Sequence, residues 1–251
     1  MTLVEVCVED LAGAALADQG GAGRIELCAG LSTGGITPSI GTIEQIFQTV
    51  HRTAVRVLIR QRDGDFVYTR KEIDAMTADI LHIKEAARDA WVETGFVLGA
   101  LTPEGTIDKD TTSELMAACD GHPVTFHKAF DLTPDLGRAL KTLTMLGVTS
   151  VLTSGGARTA AEGAGRLREL VQEAGARIEI VAGGGIRPAN ARALLQQTGV
   201  PALHFRAAHN VPSSGHQNKL TSLYDTGLRT VTSKNQIIGM QHAVRQSGDH
   251  G

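Results

Sequence analysis

The chain has 251 residues, 42% hydrophobic and 20% charged, a balance that builds a packed core and excludes disorder and fibrous repeats. Its net charge of -3 supplies no general attraction to phosphate backbones or anionic lipid, so neither nucleic acid nor membrane is expected as a partner. The three cysteines, Cys7, Cys28 and Cys119, form no C-x-x-C pair and no even framework, which reads as reduced thiols of a cytosolic protein. The first residues reach Glu5 without a basic segment, so no signal peptide is expected. Apolar runs also stay short of the roughly 18 residues of a membrane span.

Short β-branched runs predict strands over 3–8, 24–27, 55–60, 95–100, 124–127, 150–153, 178–182 and 202–206. Between them, helical spacing predicts helices over 11–19, 39–51, 70–90, 110–119, 134–146, 159–174 and 189–197, and a last one over 234–246. Gly147, Gly175 and Gly199 stand where helices should stop, and Ser233 is a candidate N-cap. Eight strand–helix pairs in strict alternation predict a parallel sheet, and eight is the number that closes a (β/α)8 barrel of this length. A doubly wound open sheet is the alternative. No linker divides the chain, so residues 1–251 read as one α/β domain, with a long polar loop over 207–231 before the last helix.

Side chains alternate along a strand, so parity sorts each strand into two faces. Val4, Val6 and Val8 share one face of the first strand, and Glu5 and Cys7 the other. Ile25 and Leu27 likewise oppose Glu26 and Cys28. Arg60, His127, His204 and Arg206 fall on the polar face of their own strands. In a barrel that face is the lumen, where charges must meet opposite charges or hydrogen-bond partners. The competing reading is a polar plug with no ligand. Cys28, Arg60, His127 and Arg206 lie at the strand C-terminal ends, where barrel enzymes keep their active sites. Lys128, next to His127, has the opposite parity and is expected to point away, which argues against a Schiff-base lysine.

Glycine-rich turns follow three strands: residues 28–35, 153–156 and 183–186. Amides of Thr153, Ser154 and Gly155, and of Gly183, Gly184 and Gly185, could cradle an anion where a helix begins; the plainer reading is a tight βα turn. Arg60, Arg62 and His204 are further candidate ligand contacts, and Glu5, Glu26, His127 and Asp65 the candidate acid–base groups, with Asp131 a possible orienting partner. No zincin, Walker, nucleophile-elbow or dinucleotide motif is present. His51, His82 and His122 fall on helices or their ends and read as surface or packing residues.

Several segments together resemble one family. They are Leu3-Val4-Glu5-Val6-Cys7-Val8; Gly20 to Cys28 with Gly34-Gly35-Ile36-Thr37-Pro38-Ser39; Ile59 to Phe66 with Tyr68; and Gly99-Ala100-Leu101-Thr102. To these add Thr125-Phe126-His127-Lys128-Ala129-Phe130-Asp131, Val151 to Gly156 and Gly183-Gly184-Gly185-Ile186. The pattern is similar to that of the copper homeostasis protein CutC family, from the first strand to about His204. The resemblance implies a cytoplasmic TIM barrel, a homodimer or higher homo-oligomer, linked to copper, with Cu(I) held by Cys7 and Cys28. Thiolates are soft donors suited to Cu(I). The sequence departs from the pattern at Gln61 and Asp63, at Lys128 where arginine is usual, and at Phe205-Arg206-Ala207-Ala208. The alternative function is an enzyme acting on a small anionic, phosphorylated or sugar-like substrate at the barrel mouth.

Overall fold

The computed structural model describes residues 2–214 and 227–246. Eight strands close a parallel barrel in sequence order: β1 (Leu3–Val8), β2 (Arg24–Leu27), β3 (Ala54–Leu58), β4 (Thr94–Leu98), β5 (Val124–Phe126), β6 (Ser150–Thr153), β7 (Glu179–Gly183) and β8 (Ala202–Phe205). Eight helices surround it: α1 (Leu11–Gln19), α2 (Ile40–Thr49), α3 (Arg70–Ala86), α4 (Lys109–Cys119), α5 (Leu136–Met145), α6 (Ala164–Ala174), α7 (Pro188–Thr198) and α8 (Lys234–Arg245). The open-sheet alternative is therefore excluded. Helix starts are chemically marked: Asp10, Ser39, Asp108, Asp135 and Ser233 each accept a first-turn amide. Thr69 does the same within a capping box closed by Glu72.

Parity holds along the strands. Val4, Val6, Val8, Ile25, Leu27, Val55, Val57, Phe96, Leu98, Val124 and Phe126 all join the core between strands and helices. Burying each such side chain contributes about 1.5–3 kcal/mol. The lumen holds separate, smaller apolar groups: Cys7, Cys28, Leu58 and Val97 on one side, and Leu152, Val181 and Ala202 with Leu3 on the other. Polar lumen residues fill the space between them.

Three expectations are corrected. Residues 207–231 are not a bare loop: β9 (Ala208–Pro212) and β10 (Leu228–Thr232) pair antiparallel, with Thr230 opposite Asn210. This ribbon abuts α1, where Gly13 leaves only enough room for Thr232; the part of the expected loop from 215 to 226 lies outside the described residues. The sixth helix begins at Ala164 rather than at 159, because the preceding segment folds back over the barrel rim, with the Ala160 amide donating to Gly184 O at 2.9 Å. The third strand stops at Leu58, so Arg60 projects from the loop above it.

Candidate lumen site

Register sets Glu5 beside Arg24 on one flank and beside His204 on the other, and sets Cys7 beside Glu26. These neighbours form one connected group. Glu5 is fully buried; its Oε2 accepts from Arg24 Nε, and its Oε1 lies 2.7 Å from His204 Nδ1. The other end of the Arg24 guanidinium meets Glu179 at 2.9 Å. Burial by itself would raise the Glu5 carboxyl, but Arg24 and His204 outweigh it and hold it at about 2. Glu5 is thus an ionised strut. It fixes Arg24 and His204 and is poorly suited to proton transfer.

Above this strut sit the thiols. Cys7 Sγ lies 3.5 Å from Cys28 Sγ and 3.7 Å from Glu26 Oε1, and His204 Nδ1 is 4.0 Å from Glu26 Oε2. Glu26 Oε2 is buried without a hydrogen-bond partner. Burial, reinforced by the nearby Glu5 charge, raises the Glu26 carboxyl despite the opposing pull of His204. The hydrogen bond to Cys28, together with burial, pushes the Cys7 thiol well up. For His204 burial acts downward, yet Glu26 and Glu5 raise the imidazole overall. Donor atoms of Cys7, Glu26 and His204 lie within 4.8 Å of one another.

Across the mouth, Arg60 and His127 flank the Phe66 ring, each 4.8 Å from its centroid. Arg60 donates to the carbonyls of Gly35 at 2.8 Å and Gly64 at 3.0 Å, tying two loops together. It is buried, its Nε lacks a partner, and no carboxylate lies within salt-bridge distance among the described residues. The other buried lumen arginines do have one: Arg24 meets Glu5 and Glu179, and Arg56 meets Glu93 at 2.5 Å. His127 accepts the Ala129 amide at Nδ1, and its buried Nε2 has no partner. Burial and the Arg60 charge press His127 down to about 3, so the ring is neutral at physiological pH with its hydrogen on Nε2. The ring fits only because residue 99 is glycine: a Cβ there would come within 2.6 Å of His127 Nδ1.

The turn after β6 is already filled. Asp131 accepts the Ser154 amide at 2.9 Å, the Gly156 amide at 2.9 Å and the Thr153 hydroxyl, while Gly155 donates to Thr153 Oγ1 at 2.9 Å. The anion in this cradle is the protein's own carboxylate. Burial acts to raise it, but Lys128 and these donors hold it low. Lys128, expected by parity to point away from the lumen, lies beyond β5, which ends at Phe126, in a 3-10 turn, and its Nζ reaches Asp131 and Ser154 on the rim at 2.6 Å each. After β7, Gly183 lets Leu152 and His204 close in, with a Cβ there only 2.6 Å from Leu152 Cδ1. Gly184 and Gly185 lead on to α7.

Asp65, a candidate acid–base group, is exposed, accepting from Arg62 at 3.1 Å and from the Val67 amide at 3.0 Å. Arg62 is likewise drawn outward, to Glu72 at 2.6 Å. Arg206 pairs with Glu9 at 2.6 Å on the rim. Sequence reasoning passed over Arg24, although it shares parity with Glu26 and Cys28, and over Glu179 and Glu9. Phe66 carried no periodic signal, since it sits in a loop. A cavity of about 890 Å³ beside α2 and α3 has Thr37, Ile43, Arg60, Gln61 and Asp79 in its walls, so Arg60 borders it as well as the Phe66 ring.

Comparison with known proteins shows the family of the chain. The CutC family profile matches residues 2–209. The chain belongs to the CutC family. It is 45% identical over 205 residues to the human copper homeostasis protein cutC homolog, covering 82% of this chain and 73% of that protein. A CutC family protein of Glaesserella parasuis is 41% identical across 98% of this chain and 96% of its own length. A solved CutC structure from Streptococcus agalactiae superposes with a TM-score of 0.74 at 36% identity, covering 81% of this chain and 98% of that one. No helix among the described residues is long and apolar enough to cross a membrane.

Proposed function

We propose that this CutC family member handles copper, taking one Cu(I) ion as cargo between Cys7 and Cys28. The observation that carries this reading is the 3.5 Å separation of two reduced, buried sulfurs on adjacent strands. The names of the human and mouse relatives point the same way. Soft sulfur donors in a closed site favour a soft ion. Uptake must expel thiol protons, and Glu26 stands beside Cys7 to receive one, so apparent affinity rises with pH. Reduced thiols fit the cytoplasm, and the functional unit is a homodimer or higher homo-oligomer. Anaerobic Cu(I) titration tests the reading: the wild type takes up one tightly held ion per chain, and the Cys7→Ala/Cys28→Ala protein loses it. Unchanged uptake by the double variant overturns the reading.

A second reading, an enzyme acting on a small anionic substrate, is favoured by the buried guanidinium of Arg60, without a counter-carboxylate among the described residues, and by the unpartnered His127 Nε2. Both are donors awaiting an acceptor. In this reading Arg60 and His127 hold the anion, with the Gly183 to Gly185 turn as a further contact. Glu26, protonated more readily than an ordinary carboxylate, serves as the proton carrier. Phosphate or glycolate perturbing the His127 ring resonances, and losing that effect in Arg60→Gln, supports it; no perturbation by either anion sinks it.

A further inference from the structure

The spacing of the sulfurs says more than that they can share an ion. With metal–sulfur bonds of about 2.3 Å, two sulfurs on one tetrahedral ion sit roughly 3.8 Å apart, and two on a linear ion roughly 4.6 Å apart. The observed 3.5 Å is close to the bent arrangement and far from the linear one. A bent pair leaves two coordination positions to be filled from elsewhere. Two further donors stand beside the Cys7 sulfur: Glu26, whose Oε2 is buried without a partner, and His204.

We infer that Cys7, Glu26 and His204, whose donor atoms already cluster, are joined by Cys28 closing on the ion from beside Cys7 to give a site of two sulfurs, one oxygen and one nitrogen that accepts a divalent borderline cation of the zinc type. The inference rests on the reading that the thiol pair holds a metal, and it adds a divalent ion to the Cu(I) that the pair takes as cargo. Carboxylate oxygen is a hard donor that adds little for Cu(I), whereas mixed sulfur, nitrogen and oxygen sets suit Zn(II). Charge points the same way. Two thiolates and a carboxylate bring three negative charges into a buried site, and a divalent ion neutralises more of them than a monovalent one. The surroundings already support the histidine: Glu5, pinned by Arg24, binds His204 Nδ1 at 2.7 Å and fixes the ring, as a carboxylate behind a metal-binding imidazole does.

Zn(II) alone and Cu(I) alone, each in competition with a chromophoric chelator under anaerobic conditions, test this on the full chain. Co(II) serves as the spectroscopic probe. The expected results are one Zn(II) per chain and an intense tetrahedral Co(II) spectrum with a thiolate charge-transfer band. Glu26→Gln and His204→Asn should each weaken Zn(II) at least tenfold and change Cu(I) affinity less than threefold. Glu26→Gln keeps the shape of the side chain, and its circular dichroism checks the fold. A pale octahedral Co(II) spectrum, or Zn(II) affinity unaltered in both variants, overturns the inference. Cu(I) uptake without Zn(II) uptake by the wild type also overturns it and leaves the copper reading standing. Failure to bind either ion removes both.

Discussion

The two sides of the barrel lumen solve the same electrostatic problem differently. Along β1, β2 and β8 the buried charges other than Glu26 have their opposites: Glu5 with Arg24 and His204, and Arg24 with Glu179. Across the mouth, Arg60 is buried against loop carbonyls and the Phe66 ring, without a carboxylate among the described residues, and His127 stays neutral beside it. The balanced side is a rigid frame for the thiols. The unbalanced side keeps donor capacity in reserve. Completed pairing marks Glu5, Arg24 and Glu179 as frame, while the unpartnered atoms of Glu26, Arg60 and His127 are polarity kept for a ligand, a division that residue type alone does not make.

The balanced side should be the costlier to break. Glu5→Ala strips Arg24 and His204 of their shared anion, and urea unfolding should show a loss of about 3–5 kcal/mol. A loss below about 1 kcal/mol would mean that Glu179 alone suffices for Arg24. On the other side the test is steric. Gly99→Ala should destabilise by about 1–3 kcal/mol through collision with His127, and His127→Ala should recover much of that in a double-mutant cycle. Additive effects would show that the collision is relieved elsewhere.

Asp131→Asn separates the filled cradle from the open one. It removes a charge-assisted acceptor from Lys128 and the β6 turn, with an expected cost of about 1.5–3 kcal/mol by urea unfolding. A further effect is in pH. His127 is held at about 3 when folded, against 6.5 for the free group, so the unfolded chain binds more protons between those values. Stability therefore falls as pH drops from about 6.5 towards 3, and His127→Gln should flatten that part of the curve. Glu5, lowered from 4.5 to about 2, adds a further loss as pH falls below 4.5. A His127 ring titrating near 6.5 by NMR would contradict the burial argument.

Much of this frame is legible in the sequence because period-2 alternation dictates which strand residues share a lumen. Glu5, Cys7, Glu26, Cys28 and His204 were assembled by parity alone, and register brought them into contact. Parity failed where strands ended. Lys128 lies beyond β5 in a tight turn, and Asp65 lies in a loop whose local bonds turn it outward. The partnership of Asp131 with the β6 turn was also hidden, since it joins two loops with no periodic signal. Arg24 was readable by the same alternation and was missed because it stands at the very start of its strand.

The central claim is that the two thiols share a metal inside the barrel. Anomalous diffraction at the copper edge, on crystals loaded with Cu(I) under anaerobic conditions, tests it most directly. The account predicts a single strong peak within bonding distance of both Cys7 Sγ and Cys28 Sγ. Peaks confined to surface histidines, with the lumen bare at full loading, would contradict it.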